Sequence, residues 1–239
     1  MQVTTKAIVL SSIKYGDTSL IIKAFTLSDG LQVYLLKGVL ASRKSKLKAA
    51  YFQPITQLEI VANHKFKGTM ESIREARVYY HYQSIHSDIT KNSIALFLSE
   101  ILSKSISEGE SDMALFAFLE ASFQWLDTHH SISNFHLYFL LQLTKFLGFY
   151  PDTTNTNAMY FDLQEGQFKT TPGLNQVIQG NTLLYFKMLL GINFDSIHTI
   201  KMGKKERQEL LQILVVYFEL HLHGFKKPRS LAVLNEVFN

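Results

Sequence analysis

Apolar and polar positions alternate through the first third of the chain. Residues 3–11 are rich in β-branched side chains, and residues 18–26 and 31–36 carry the period of two that marks half-buried strands. Tyr15-Gly16-Asp17 and Ser28-Asp29-Gly30 supply the turn chemistry between them. Pro54 opens a fourth strand, Ile55 to Val61, and a fifth is expected within 69–79 after the connection Asn63 to Gly68. Beyond Glu75 the period becomes helical. Ser87 or Asp88 caps a predicted helix over 89–106, and Ser111 or Asp112 caps a second that runs to Leu126. A third, over 133–147, is apolar almost all round and is expected at the buried centre of a bundle. Residues 150–175 read as loop, with a small hairpin formed by 159–163 and 167–168. Helices resume over 181–190, over 204–222 (expected to be apolar on most faces) and over 229–237.

Five short strands in about eighty residues, with the long interruption between the third and fourth, predict a five-stranded OB-fold barrel. The fold class is therefore α+β. An OB-fold domain is expected over 1–79, and an α-helical domain over 80–239 with its irregular β-hairpin insert at 150–175.

Charge sharpens this division. The chain carries 24 Lys and Arg against 20 Asp and Glu, but residues 1–79 hold twelve against five, a net of +7, and the remainder is −3. The densest stretch runs from Lys37 to Lys48, where Lys37, Arg43, Lys44, Lys46 and Lys48 place five cations in twelve residues and no acid lies between Asp29 and Glu59. Such a loop or short helix suits a polyanion, nucleic-acid backbone foremost. The alternative is a solvated surface loop. OB folds bind single strands with a basic groove and stacking aromatics. Tyr15, Tyr34, Tyr51 and Phe66 are the aromatic candidates, each also a candidate for the core, and Tyr51 sits beside the loop. Lys14, Lys65 and Lys67 lie on other connections and extend the candidate DNA-binding set. A second cluster, Lys201, Lys204, Lys205 and Arg207, opens the long helix, and Lys226, Lys227 and Arg229 follow its end. These are either solvated helix ends or a site for an acidic peptide.

Several chemistries have no residues to carry them. With no cysteine there is no disulfide, thiolate zinc site or cysteine nucleophile. His221 and His223 point to different faces of a helix and cannot share an ion, and His129-His130 are adjacent in a loop. The aspartates fall at scattered turns and caps rather than in the cluster a metal-dependent nuclease requires. No phosphate loop of the Gly-x-x-x-x-Gly-Lys-[Ser/Thr] kind and no Gly-x-Ser-x-Gly elbow is present. The expectation is a non-enzymatic protein without cofactor or metal. No charged segment followed by an apolar run opens the sequence, and runs such as Ile213 to Phe218 are far short of a membrane span, so a soluble cytoplasmic protein is expected.

The order Ala7-Ile8-Val9-Leu10, Tyr15-Gly16-Asp17, Ile22 to Thr26, Gly30, Lys37-Gly38, Lys44-Ser45 and Pro54 to Glu59 resembles the RecO family of recombination mediators and DNA-annealing proteins. Leu147-Gly148-Phe149-Tyr150-Pro151-Asp152 and Pro228-Arg229-Ser230-Leu231 with Leu234 extend the likeness towards the end of the chain. The resemblance implies single-stranded and possible double-stranded DNA binding, with Lys37, Arg43, Lys44, Lys46 and Lys48 lining the DNA path. It also implies three protein partners: the acidic C-terminal tail of single-stranded-DNA-binding protein, RecR and the recombinase RecA. Many family members carry a four-cysteine zinc module after the Leu-Gly-x-x-Pro segment. This chain has residues 152–168 there and no cysteine. The competing expectation is an adaptor whose barrel and basic loop meet an acidic protein.

Overall fold

The structure, a computed structural model, describes residues 1–41, 47–65, 69–107, 109 and 111–237. It comprises two compact units, Met1–Thr128 and His129–Asn239.

The first unit is built on β1 (Gln2–Tyr15), β2 (Ser19–Thr26), β3 (Gly30–Leu36), β4 (Gln57–Asn63) and β5 (Ser72–Tyr80). They form one antiparallel sheet in the order β3-β2-β1-β4-β5. β1 is long because it serves two partners, β4 along Gln2–Ile8 and β2 along Ala7–Tyr15, with a register shift between Val9 and Ser11. The sheet edges meet where Glu71 forms a parallel bridge to Tyr34. There the Leu35 N–H donates to the Glu71 carbonyl (2.9 Å) and the Glu71 N–H to that of Val33 (2.8 Å). This is the five-stranded arrangement expected for the OB domain. Ala7, Val9, Leu20, Ile22, Tyr34, Phe52, Leu58 and Ile60 fill its interior.

Two helices complete this unit, α1 (Ile89–Ser105) and α2 (Met113–Thr128). Of the alternative caps, the aspartates serve: Asp88 accepts from the Lys91 N–H (3.0 Å) and Asp112 from the Leu115 N–H (2.8 Å). α2 covers part of the outer face of the sheet. Phe116 stacks on Phe25 with centroids 6.2 Å apart, and Glu120 accepts from Lys6 Nζ (2.9 Å) and Tyr79 Oη (2.6 Å). The fourth strand starts two residues later than expected. Ile55 has φ +63°, the left-handed region that a β-branched residue rarely adopts, so the ladder begins only at Gln57.

The second unit packs α3 (Phe135–Phe146), α4 (Gly180–Leu190), α5 (Lys204–His221) and α6 (Ser230–Val237). Ten consecutive residues of α3, Phe135 to Thr144, are buried, as its all-round apolar pattern predicts. α5 departs from its expectation. Its buried set begins only at Leu210, and Lys204, Lys205, Glu209, Glu219 and Leu220 are exposed, so its apolar character is a stripe. The insert forms the expected hairpin, β6 (Tyr160–Asp162) with β7 (Gln167–Lys169), plus a strand not foreseen, β8 (Val177–Ile178), in the order β7-β6-β8. Phe161 contacts Phe168, Phe186 and Tyr217 at centroid distances of 4.9, 4.7 and 5.9 Å. Gly166, at φ +67°, closes the hairpin, and a side chain there would meet Tyr217 Oη at 2.8 Å.

A buried aspartate organises each unit. Asp127 accepts the backbone N–H groups of Gln83 (2.9 Å), Ser84 (2.8 Å) and Ile85 (3.1 Å). Asp162 accepts those of Gln164 and Glu165 (both 3.0 Å), along with Lys169 Nζ (3.0 Å). Burial alone would raise both carboxyls, but these donors outweigh it and hold both below the ordinary aspartate value of 3.8. A folded value below the unfolded one adds stability that is complete above about pH 4 and is lost as pH falls through the folded value. Acid titration of thermal stability is therefore expected to show a plateau above that pH and a decline below it. Asp127→Asn and Asp162→Asn should each shrink the decline.

Candidate nucleic-acid interface

Three cation-bearing connections meet at β3. The first is the β1–β2 turn, which follows exposed Lys14 and Tyr15, the last two residues of β1. The second begins at exposed Lys37, directly after β3. It is tied to the first where the Leu40 N–H donates to the Thr18 carbonyl (2.8 Å) and the Gly38 N–H to Ser19 Oγ (3.4 Å). The third leaves β4 with exposed Lys65, whose N–H donates to Glu71 Oε1 (2.9 Å), and returns along the β3 edge through the Glu71 bridge. OB folds use the face of their second and third strands, flanked by the first and last of these connections, for oligonucleotides.

The basic loop returns to the sheet through a short 3-10 turn, Ala49–Phe52. Phe52 is buried in the core, with Leu47, Ala49 and Tyr51 packed against it. Lys48 is exposed, and its Nζ lies 5.7 Å from the centroid of half-buried Tyr51. Arg43, Lys44, Lys46 and Lys67, with Phe66, lie outside the described residues. The structure thus joins the Lys14 and Lys37 connections by direct hydrogen bonds, fixes Lys48 to the far end of the same loop, and sets Lys65 on the connection that borders β3.

The aromatic candidates separate by exposure. Tyr15 is 54% exposed, whereas Tyr34 is fully buried, with its hydroxyl 2.8 Å from His64 Nε2. Burial, with Asp29 and Glu71 nearby, raises the Tyr34 phenol far above its ordinary range. His64 Nδ1 in turn lies 3.0 Å from Asp29 Oδ2. This Tyr–His–Asp chain, buried at Tyr34 and His64 and half-buried at Asp29, ties the β2–β3 turn to the start of the β4–β5 connection. Tyr34 shares the buried face of β3 with Leu36, and its partner thirty residues away leaves no mark in the sequence.

The second basic cluster splits. Lys204 and Lys205 are exposed in the first turn of α5, and Lys201 Nζ donates to the His198 carbonyl (3.3 Å). Arg207 is turned inward. Its Nε donates to Asn134 Oδ1 (3.1 Å) and its Nη2 to the Met202 carbonyl (2.8 Å), and burial lowers its pKa. Arg207 and Lys201, with His130 and His198, line a polar cavity of about 360 Å³.

Among the described residues no group of three His, Asp or Glu side chains is placed to hold a metal ion. The insert, where the family resemblance would place zinc, does not fit that ion. Asp162 is occupied by its hydrogen bonds, and His221 is engaged through Nε2 with the Leu163 carbonyl (2.8 Å). Nor, among the described residues, is any helix long and apolar enough to cross a membrane.

The first unit thus sets exposed Lys14, Lys37, Lys48 and Lys65 around a five-stranded sheet, and a second, mainly helical unit follows. The chain matches the family models described as Recombination protein O N terminal over residues 1–82 and Recombination protein O C terminal over 86–231. It is 50% identical to the DNA repair protein RecO of Flavobacterium psychrophilum and 49% identical to that of Christiangramia forsetii, with all of each chain covered. It is 35% identical to the DNA repair protein RecO of Phocaeicola vulgatus over 98% of each chain. The chain belongs to the RecO family of DNA repair proteins, and its role is in recombinational repair.

Proposed function

We propose that the chain is a non-enzymatic mediator that binds single-stranded DNA, anneals complementary strands and helps load the RecA recombinase. The observation that carries this reading is the convergence of three basic connections on β3 in a chain of the RecO family. Lys14, Lys37, Lys48 and Lys65, with Arg43, Lys44, Lys46 and Lys67 from the sequence, contact phosphates, and Tyr51 supports the loop that bears most of them. Neutralised backbones then approach and pair. A strand-annealing assay tests this. The full chain should accelerate pairing of complementary oligonucleotides, and the acceleration should vanish at the salt concentration where binding does. An adaptor that only meets an acidic protein gives no acceleration. Mg²⁺-dependent turnover of the strands would make the chain an enzyme.

The proposed partners are RecR, RecA and the acidic C-terminal tail of single-stranded-DNA-binding protein, and the proposed setting is the cytoplasm. The tail site is assigned to Lys201, Lys204, Lys205 and Arg207. Exposure of Lys204 and Lys205 at a helix N-terminus, where the dipole favours anions, supports it. Lys204→Glu with Lys205→Glu should weaken binding of the tail peptide, read by fluorescence anisotropy, by roughly tenfold, on the order of 0.7 kcal/mol per reversed charge. DNA binding should change little. Arg207 is a poor position for the same test, because its removal strips Asn134 and the Met202 carbonyl of a partner.

A further inference from the structure

We infer that the polar cavity of the helical unit binds a phosphate monoester, independently of any phosphate contact made by the five-stranded unit. The cavity, of about 360 Å³, lies between the start of α3, the 3-10 turn Phe194–Thr199 and the start of α5. Six side chains with groups that can donate to an anion line it: His130, Ser131, Ser133, His198, Lys201 and Arg207. They come from three segments of the chain, and none of the described residues that line the cavity is an acid. Asn134 holds the walls together. It is buried, its Nδ2 donates to the carbonyls of Ile200 (2.9 Å) and Ile197 (3.4 Å), and its Oδ1 accepts from Arg207 Nε (3.1 Å). One amide thus joins all three segments, so the cavity is formed before a ligand arrives. Committed to these bonds, the Asn134 side chain makes no cap bond to α3, and the positive end of that helix adds to the field in the cavity.

The donor set names the ligand. Lys201 Nζ is held at the rim by the His198 carbonyl (3.3 Å). Arg207 loses more to burial than the charge of Glu206 returns, and Glu206 itself lies against Gly203, outside the lining. An anion in the cavity offsets that loss. A carboxylate brings two oxygens and one charge. A phosphate monoester brings three acceptor oxygens and about −1.5 to −2 charges at pH 7. Donors on three sides of an enclosed space suit the tetrahedral dianion better than the flat monoanion. The volume exceeds a phosphate group alone, so part of the ester enters with it. Lys201 and Arg207 are shared with the cluster assigned to the acidic tail, whereas Lys204 and Lys205 do not line the cavity and stay with the peptide. The phosphate comes from a free mononucleotide or from the end of a DNA strand.

Calorimetry on the full chain at constant ionic strength tests this with three probes: thymidine monophosphate, thymidine and glutarate. The monophosphate should bind, thymidine should not, and the dicarboxylate should bind more weakly than the monophosphate. His130→Gln with Ser131→Ala and Ser133→Ala, all at exposed positions, should weaken the monophosphate at least roughly tenfold, the cost of one lost hydrogen bond to a charged group. Melting of this variant in phosphate-free buffer should match the parent's. Lys201→Gln, also exposed, is an independent second variant and should lose affinity to a similar extent. Two single strands of one sequence, with a 5′-phosphate or a 5′-hydroxyl, identify the source. Tighter binding of the phosphorylated strand, erased in both variants, assigns the site to strand ends, and equal binding of the two assigns it to the free mononucleotide. No binding of the monophosphate, glutarate bound as tightly, or variants that keep the parent's affinity overturns the inference. A chain that binds strands in a salt-dependent way but ignores the monophosphate keeps the DNA reading and loses this one.

Discussion

Replacing Asp162 by alanine is expected to destabilise the helical unit by about 2–5 kcal/mol, from roughly 1–3 kcal/mol for each buried donor left without an acceptor. Asp162 is fully buried, and all of its capacity is in use. Oδ1 accepts two backbone N–H groups and Asn175 Nδ2 (3.2 Å), and Oδ2 accepts Asn175 Nδ2 (3.1 Å) and Lys169 Nζ. Alanine leaves two backbone donors and an amide without an acceptor in a site that excludes water. Lys169 suffers less, because it is partly solvated and also pairs with Glu165 at 2.6 Å. The same turn positions Gly166 beneath Tyr217, so the aromatic cluster loosens with it. Thermal unfolding should show a midpoint lowered by more than about 10 °C, and Asp162→Asn, which keeps one acceptor oxygen, should lose less. Chelator should leave the parent's midpoint unmoved, since the turn is held by hydrogen bonds to the Asp162 carboxylate. Parent-like melting of the alanine variant would show that the aromatics alone hold the insert.

The second large effect belongs to the basic loop. Changing Arg43, Lys44 and Lys46 together to alanine should flatten the salt dependence of single-strand binding by about two units of log K against log salt, from roughly 0.7 per phosphate contact. The weakening should be similar for unrelated sequences, because phosphates carry no sequence information. Melting should barely change if these charges are solvated. Phe52, Tyr51 and Leu47, which seat the loop against the core, are untouched. Annealing should fail in proportion to binding. If the triple variant keeps the parent's slope and annealing rate, phosphates are held elsewhere, and Lys14, Lys37 and Lys65 are the cations to alter next.

Local pattern made much of this legible. The alternation of Leu31, Val33 and Leu35 marked β3 as a strand, although its buried face carries Tyr34 and Leu36, the unbroken apolar run of α3 announced its burial, and Asp88 and Asp112 stood where caps belong. What escaped depends on distant partners or on strain. Asp127 and Asp162 look alike among scattered aspartates, yet the first gathers donors from 42 to 44 residues away and the second gathers them within thirteen. His64 is read as a loop residue until Tyr34 and Asp29 close around it. Arg207 carries the same letter as a solvated helix-end cation and is held by Asn134. Ile55 sits at positive φ because the chain turns there between Pro54 and the ladder, which no propensity favours. β8 is two residues long, too short to show a period. For the interface, charge density pointed to the loop, but it takes the bonds of Leu40 to Thr18 and of Gly38 to Ser19 to show that Lys14 and Tyr15 share its end of the sheet.

The central claim is that fixed cations around β3 hold the DNA backbone. Its most direct test is the affinity of the full chain for a single strand across a salt titration. The five cations from Lys37 to Lys48 alone predict a slope near −3.5, which contacts by Lys14, Lys65 and Lys67 would steepen, so that affinity falls by at least roughly a hundredfold between about 50 and 200 mM salt. Affinity that stays level across that range, or no binding at its low end, would contradict it.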